Sequence, residues 1–107
     1  MLKPSRPTRE GPTPTVEVHE EHATERGWSF RVTVLAPGAG AADLTLTLSW
    51  HDYEHWSHGT SAPARVARAV LEAAADAGAL NEPPARVDAS TLRRITPGLD
   101  DRVRESV

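Results

Sequence analysis

Residues 44–59 constrain the fold of this chain most, because the apolar pattern changes there from a period of two to a helical period. Leucines at every second position from Leu44 to Leu48 alternate with threonines, which is the pattern of a half-buried strand. Ser49, with Asp52 three residues later, supplies a helix-start signal. The sequence therefore predicts a strand that runs directly into a helix.

Two further strands are predicted before this one. Apolar and polar residues alternate from Trp28 to Val34, which is the cleanest period of two in the chain. Residues 16–22 begin as an alternating strand and turn polar, which is typical of an edge strand. Its charges discourage pairing with other chains and come from Glu17, Glu20 and Glu21. Short connections between the three strands predict an antiparallel meander with one apolar face.

Helical patterns fill the rest of the chain. Gly59 is expected to end the first helix as a left-handed cap, and Pro63 begins the second helix, which stops at Gly78. Asp88 caps a short third helix, and a last weak turn carries Leu99. The predicted fold class is α+β, a three-stranded antiparallel meander packed on one face by two or three helices. The expected core includes Trp28, Phe30, Leu46, Trp56, Val66 and Val70.

Length and composition predict one domain, because 107 residues with 38% apolar content support a single core. Residues 1–15 hold four prolines and little apolar surface, so we expect a disordered arm, followed by a single domain over residues 16–107. The arm also contains the P-x-x-P spacing of a polyproline ligand at residues 4–7.

Composition also bears on the kind of partner. The net charge of −3 supplies no overall cationic field, so nucleic acid is an unlikely partner. The absence of cysteine excludes disulfides, thiolate zinc sites and cysteine nucleophiles. No apolar run approaches the roughly 18 residues of a membrane span, and we expect a cytoplasmic protein that contacts no membrane.

Three segments in order resemble a group of small bacterial proteins of unknown function. They are residues 49–59, with a tyrosine and a closing glycine, residues 61–71, with an early proline, and residues 86–100, with an Asp-x-Ser leading to Pro-Gly. The resemblance covers roughly residues 28–103 and implies strands followed by helices. It implies no activity, and neither the histidines nor the proline-rich arm of this chain belongs to the shared pattern.

Three histidines form the one chemical cluster that the sequence predicts. His51, His55 and His58 lie within about 60 degrees of one another on the first helix. They are on the face opposite Trp50, Tyr53 and Trp56. Imidazoles at this spacing can share zinc, nickel or copper. The alternative interpretation is a solvent-exposed polar face without a ligand.

Arginines are frequent near the end of the chain, and a nucleic-acid patch is one interpretation of them. Acidic residues interleave with these arginines and no aromatic residue accompanies them, which favours a solvated, salt-bridged face. The arginines concerned are Arg86, Arg93, Arg94, Arg102 and Arg104.

The sequence as a whole favours a non-catalytic protein-interaction module, because no nucleophile motif or phosphate loop is present. An accessory metal-binding protein is the alternative, and a nucleic-acid binder is the third. A protein partner, or a second copy of the chain, is expected to pair with the open edge of the strand at residues 44–49. Thr45 and Thr47 carry no charge there to repel an incoming strand.

Overall fold

A computed structural model of the protein describes residues 14–36 and 40–107. Most of the predicted arm over residues 1–15 lies outside this range. The Pro-Gly sequence predicts a loop at residues 37–40, of which residues 37–39 also lie outside the range and Gly40 begins a strand. The elements in chain order are β1 (Thr15–Ala23), β2 (Gly27–Ala36), β3 (Gly40–Ser49), α1 (Trp50–Ser57), α2 (Pro63–Asp76), β4 (Arg86–Asp88), α3 (Ala89–Ile95) and α4 (Leu99–Ser106). In this part of the chain, no helix has the length and apolar content needed to cross a membrane.

The first three strands form the antiparallel meander that the sequence predicts. The sheet order is β1-β2-β3-β4, and both β1–β2 and β2–β3 are antiparallel. Phe30 of β2 pairs with Leu46 of β3, and Val32 pairs with Val18 of β1, so the apolar residues of the three strands share one face. The prediction of an α+β fold with this meander is confirmed.

The sheet has a fourth strand, so the prediction of three purely antiparallel strands is wrong. β4 lies parallel to β3, with Thr45 opposite Arg86 and Thr47 opposite Asp88. A strand of three residues is too short to show a period of two, and two prolines precede it. Because β4 covers β3 at Thr45 to Thr47, this segment of β3 is not the open edge that the sequence predicts.

The other outer strand of the sheet is β1, and three features protect its outer edge. The register of β1 shifts between Val18 and Glu20, and such a bulge disturbs the pairing of an incoming strand. Arg68 of α2 donates a hydrogen bond from Nη2 to the backbone oxygen of Val16 at 3.3 Å. Glu17 and Glu20 are exposed, as expected for a charged edge.

The described residues form four helices where two or three are predicted. The predicted start of α1 is confirmed, since the Ser49 side chain accepts a hydrogen bond from the backbone N–H of Asp52 at 3.1 Å. Gly59 has the predicted left-handed conformation, with φ of 80°, and His58 before it is also left-handed, with φ of 52°, so the helix ends at Ser57. The predicted last weak turn is the helix α4, which buries Leu99 and Val103.

The core lies between the apolar face of the sheet and the helices. Phe30, Leu46, Trp56, Val66 and Val70 are buried as predicted. Trp28 is only partly buried, because it lies at the start of β2, beside the junction of β3 and α1. This position of Trp28 brings it to the surface at the site described next.

Candidate functional site

A groove opens at the end of the sheet where β3 and β4 finish side by side. Since the two strands are parallel, their carboxyl ends are adjacent, and each strand runs directly into a helix. Binding sites are common at the carboxyl ends of parallel strands in open sheets. We name this site, which has a volume of about 740 Å³, the strand-end groove. Its lining residues are Thr24, Glu25, Arg26, Trp28, Thr47, Leu48, Ser49, His51, Asp52, Arg86, Asp88 and Ser90.

Two residues that line the groove are also helix caps. Ser49 ends β3 and caps α1, and Asp88 ends β4 and caps α3 by accepting a hydrogen bond from the backbone N–H of Ser90 at 2.9 Å. The Thr47 hydroxyl donates to Asp88 at 2.5 Å, which joins the two strand ends directly. The side chains that terminate the strands therefore also fix the directions in which α1 and α3 leave the sheet.

Asp88 is held as a carboxylate by its surroundings. Partial burial raises its pKa, but hydrogen bonds from Ser90 and Thr47 and the nearby charge of Arg86 outweigh this, so the pKa lies below its usual range. Asp88 therefore remains an ionised acceptor at neutral pH.

Three aromatic side chains form a cluster beside the groove, which we name the aromatic patch: Trp28, Trp50 and Tyr53. The ring centroids of Trp28 and Trp50 are 4.6 Å apart, and those of Trp28 and Tyr53 are 5.0 Å apart in an edge-on arrangement. Trp28 lines the groove, and Trp50 is 54% exposed. The backbone N–H of Trp50 donates to the backbone oxygen of Arg26 at 2.8 Å, which ties the start of α1 to the β1–β2 turn.

The charged residues of the groove differ in their partners. Asp52 is only 3% exposed and lies 3.5 Å from Nη1 of Arg93. Arg26 and Arg86 are exposed and form no ion pair with any of residues 14–36 and 40–107. Two guanidinium groups at the groove are thus free of carboxylate partners in the described part of the chain.

A polar network centred on Asp100 joins α1, α3 and α4, and it reaches the groove only through the pairing of Arg93 with Asp52. Asp100 accepts a hydrogen bond from Trp56 Nε1 at 2.9 Å and pairs with Arg93 Nε at 3.0 Å. Burial raises the pKa of Asp100, but the bond from Trp56 and the charge of Arg93 lower it below its usual range. Because Asp100 and Arg93 contact three helices and do not line the strand-end groove, we interpret this network as structural.

The three histidines of the predicted metal site have different surroundings. His51 lines the groove, and His58 follows α1 in a left-handed conformation. Nε2 of His55 lies 2.9 Å from Nη2 of Arg104 and 3.1 Å from Nη2 of Arg93. Nε2 of His55 also lies 3.3 Å from Oδ2 of Asp100, so a metal bound at this nitrogen would displace three polar contacts.

No group of three or more His, Cys, Asp or Glu side chains that could hold a metal ion occurs within residues 14–36 and 40–107. The structure therefore does not bring the three histidines together as a ligand set, and their binding of zinc, nickel or copper stays a prediction.

The arginines near the end of the chain are distributed over several partners. Arg102 pairs with Asp76 at 2.8 Å, Arg93 pairs with Asp52 and Asp100, and Arg86 lies at the groove. Arg93 and Arg102 thus form ion pairs of the kind that the interleaved acidic residues favour, whereas Arg86 forms none with the described residues.

Sequence reasoning missed the strand-end groove as a site. The signal that could have found it is the pair of strand-to-helix junctions, each with a capping side chain, at Ser49 and Asp88. Sequence patterns alone do not indicate that these two junctions are adjacent.

No protein-family model, curated protein or solved structure matches this chain. The resemblance to a group of small bacterial proteins stays a prediction.

Proposed function

We propose that this protein is a cytoplasmic, non-catalytic interaction module that binds a partner protein at the strand-end groove and the aromatic patch. The observation that carries the proposal is the pair of Trp28 and Trp50, whose rings are in contact with their planes tilted by 47°. Trp28 lines the groove, and Trp50 is 54% exposed beside it. Tryptophan is enriched among the residues that dominate binding energy at protein interfaces.

The aromatic patch is held in place before any partner binds. Trp50 contacts Trp28, lies 6.1 Å from Tyr53 between ring centroids, and has its backbone tied to Arg26. The hydroxyl of Tyr53 donates to the backbone oxygen of Ser61, which fixes the third ring. A side chain that is already ordered loses less entropy on binding, so its contacts contribute more to affinity.

Two carboxylates line the groove and are already engaged, Asp88 in hydrogen bonds and Asp52 in a buried ion pair, which favours binding over catalysis. Asp88 has a lowered pKa, and a general acid or base works best when its pKa is near the working pH. Asp52 is buried against Arg93. Both groups have roles in capping and pairing that a proton-transfer role would disturb.

The test starts with peptides selected from a random peptide display library on the immobilised wild-type protein. The selected peptides are then synthesised, and their dissociation constants are measured by titration calorimetry. Trp50→Ala is expected to weaken binding by tenfold or more, as for a central anchor residue.

Ile95→Ala is the matched control, because Ile95 is 53% exposed but lies at the end of α3 and does not line the groove. This variant should bind within about twofold of the wild type. The proposal fails if no peptide is selected, or if the selected peptides bind Trp50→Ala as tightly as the wild type. Circular dichroism of each variant confirms that the fold is retained.

A further inference from the structure

We propose that the strand-end groove recognises the side-chain carboxylate of an Asp or Glu in a partner peptide, while an apolar side chain of the same peptide packs on the aromatic patch. This inference rests on the proposed function, because it names the chemistry of the partner for the same site.

Two arginines supply positive charge at the groove. Arg26 lies in the β1–β2 turn, and Arg86 begins β4, so the two approach the groove from different elements. Neither forms an ion pair with the described residues, whereas Arg93 pairs with two carboxylates. Arginine presents a planar set of donors that matches a carboxylate with two parallel hydrogen bonds. An incoming carboxylate is therefore the ligand group that these two side chains lack.

The carboxylates already in the groove do not fill that role. The Asp88 side chain accepts hydrogen bonds from the Thr47 hydroxyl, the Ser90 hydroxyl and the Ser90 backbone N–H. Asp52 is buried against Arg93. Arg86 lies near enough to Asp88 to lower its pKa, yet no ion pair joins them within the described residues.

Glu25 limits how much negative charge the groove accepts. It is exposed in the same turn as Arg26 and lines the groove. A ligand with one carboxylate can use the arginines, whereas a second negative charge meets Glu25. Removal of the Glu25 charge should therefore strengthen the binding of an acidic peptide.

The charge of the whole molecule favours a peptide over a nucleic acid. The described residues hold nine arginines and no lysine against fourteen acidic residues, a net charge of −5. Nucleic-acid binding draws its affinity from the neutralisation of many phosphates, which an acidic surface opposes. A single carboxylate needs only the local field of Arg26 and Arg86, since distant charges are screened over about 8 Å at physiological salt.

The experiment uses the selected peptides with acetylated and amidated ends, so that side chains supply their only carboxylates. Each acidic peptide is compared with its Glu→Gln or Asp→Asn version by fluorescence anisotropy. The wild-type protein is expected to bind the acidic version about fivefold more tightly, as for a partly exposed ion pair. The double variant Arg26→Gln and Arg86→Gln should bind both versions equally within about twofold.

Two further variants test whether the preference for a carboxylate depends on the charges that line the groove. Arg94→Gln removes an exposed arginine of α3 that does not line the groove, and it should keep the fivefold preference. Glu25→Gln should increase the affinity for the acidic peptide about twofold.

The outcomes separate this inference from the proposed function. If the selected peptides depend on Trp50 but show no preference for a carboxylate, the carboxylate inference is wrong and the interaction module stands. The same holds if binding requires a free peptide C-terminus. A single-stranded oligonucleotide that binds more tightly than every peptide, and loses affinity in the double arginine variant, overturns both.

Discussion

Asp88 links three parts of the molecule, so its replacement tests the structure of the groove directly. It ends β4, caps α3 and accepts a hydrogen bond from Thr47 of β3. We expect Asp88→Ala to lower the free energy of unfolding by about 2 kcal/mol. Loss of the helix cap accounts for about 1 kcal/mol of this, and loss of the hydrogen bond from Thr47 for about another 1 kcal/mol.

Asp88→Asn provides the graded comparison, because asparagine caps helices about as well as aspartate. We expect it to cost less than Asp88→Ala. Asp76→Ala is the matched control, since Asp76 ends α2 and its carboxylate forms an exposed ion pair with Arg102 of α4. Exposed pairs contribute about 0 to 1 kcal/mol, so this variant should remain close to the wild type.

The measurement is urea unfolding followed by circular dichroism, with the wild type and the three variants under the same conditions. A double-mutant cycle with Thr47→Val should give a coupling energy of about 1 kcal/mol between Thr47 and Asp88. If Asp88→Ala unfolds within about 0.5 kcal/mol of the wild type, the cap and the strand-end hydrogen bond do not hold β4 and α3 as described.

The pH dependence of this effect has a defined sign. The pKa of Asp88 is lower in the folded protein than in the unfolded chain, where it is about 3.9. Its stabilising contribution is therefore present above about pH 4 and is lost as the pH falls through the folded-state pKa. The stability difference between the wild type and Asp88→Asn should shrink from pH 7 to pH 3. A constant difference over this range would show that ionised Asp88 is not favoured by folding.

Two further substitutions, at His58 and Thr96, each with a control variant, test local features by thermal unfolding. His58→Gly should stabilise the protein by about 0.5 to 1 kcal/mol, because His58 has a φ of 52° that glycine adopts without strain. The control, His51→Gly within α1, should destabilise the protein by a similar amount. Equal effects of the two substitutions would show that the backbone of His58 is not strained. Within residues 14–36 and 40–107, Thr96 carries a buried hydroxyl without a hydrogen-bond partner, so Thr96→Val should be neutral or stabilising by up to about 1 kcal/mol. The control, Thr60→Val, should lower the free energy of unfolding by about 1 kcal/mol, because the Thr60 hydroxyl donates to the backbone oxygen of Ser57 at 2.6 Å. If Thr96→Val destabilises the protein more than Thr60→Val does, the Thr96 hydroxyl has a hydrogen-bond partner.

Most of the local structure follows from patterns of a few neighbouring residues. The alternation from Trp28 to Val34 predicts β2 because side chains of a strand point alternately to opposite faces. Ser49 predicts the start of α1 because its side chain reaches the N–H of Asp52, only three residues away. Such interactions depend little on the rest of the fold, so the sequence alone indicates them.

The surroundings of the three histidines could not be predicted from the sequence around them. Helical spacing puts His51 and His55 on neighbouring positions, but the contacts of His55 with Arg93 and Arg104 come from α3 and α4. The end of α1 at Ser57 removes His58 from the helical line. The surroundings of each imidazole therefore depend on elements that its own segment does not specify.

The sequence by itself determined the three-stranded meander, the start of α1 and the cap of α3, because each depends on residues close together in the chain. The tertiary structure decided the parallel pairing of β4 with β3, and with it the covered edge and the strand-end groove. Thr47 and Asp88 are 41 residues apart, and they meet only because α1 and α2 return the chain to the sheet. A three-residue strand has too few side chains to show a pattern of its own, so its position is set by the packing of the helices that precede and follow it.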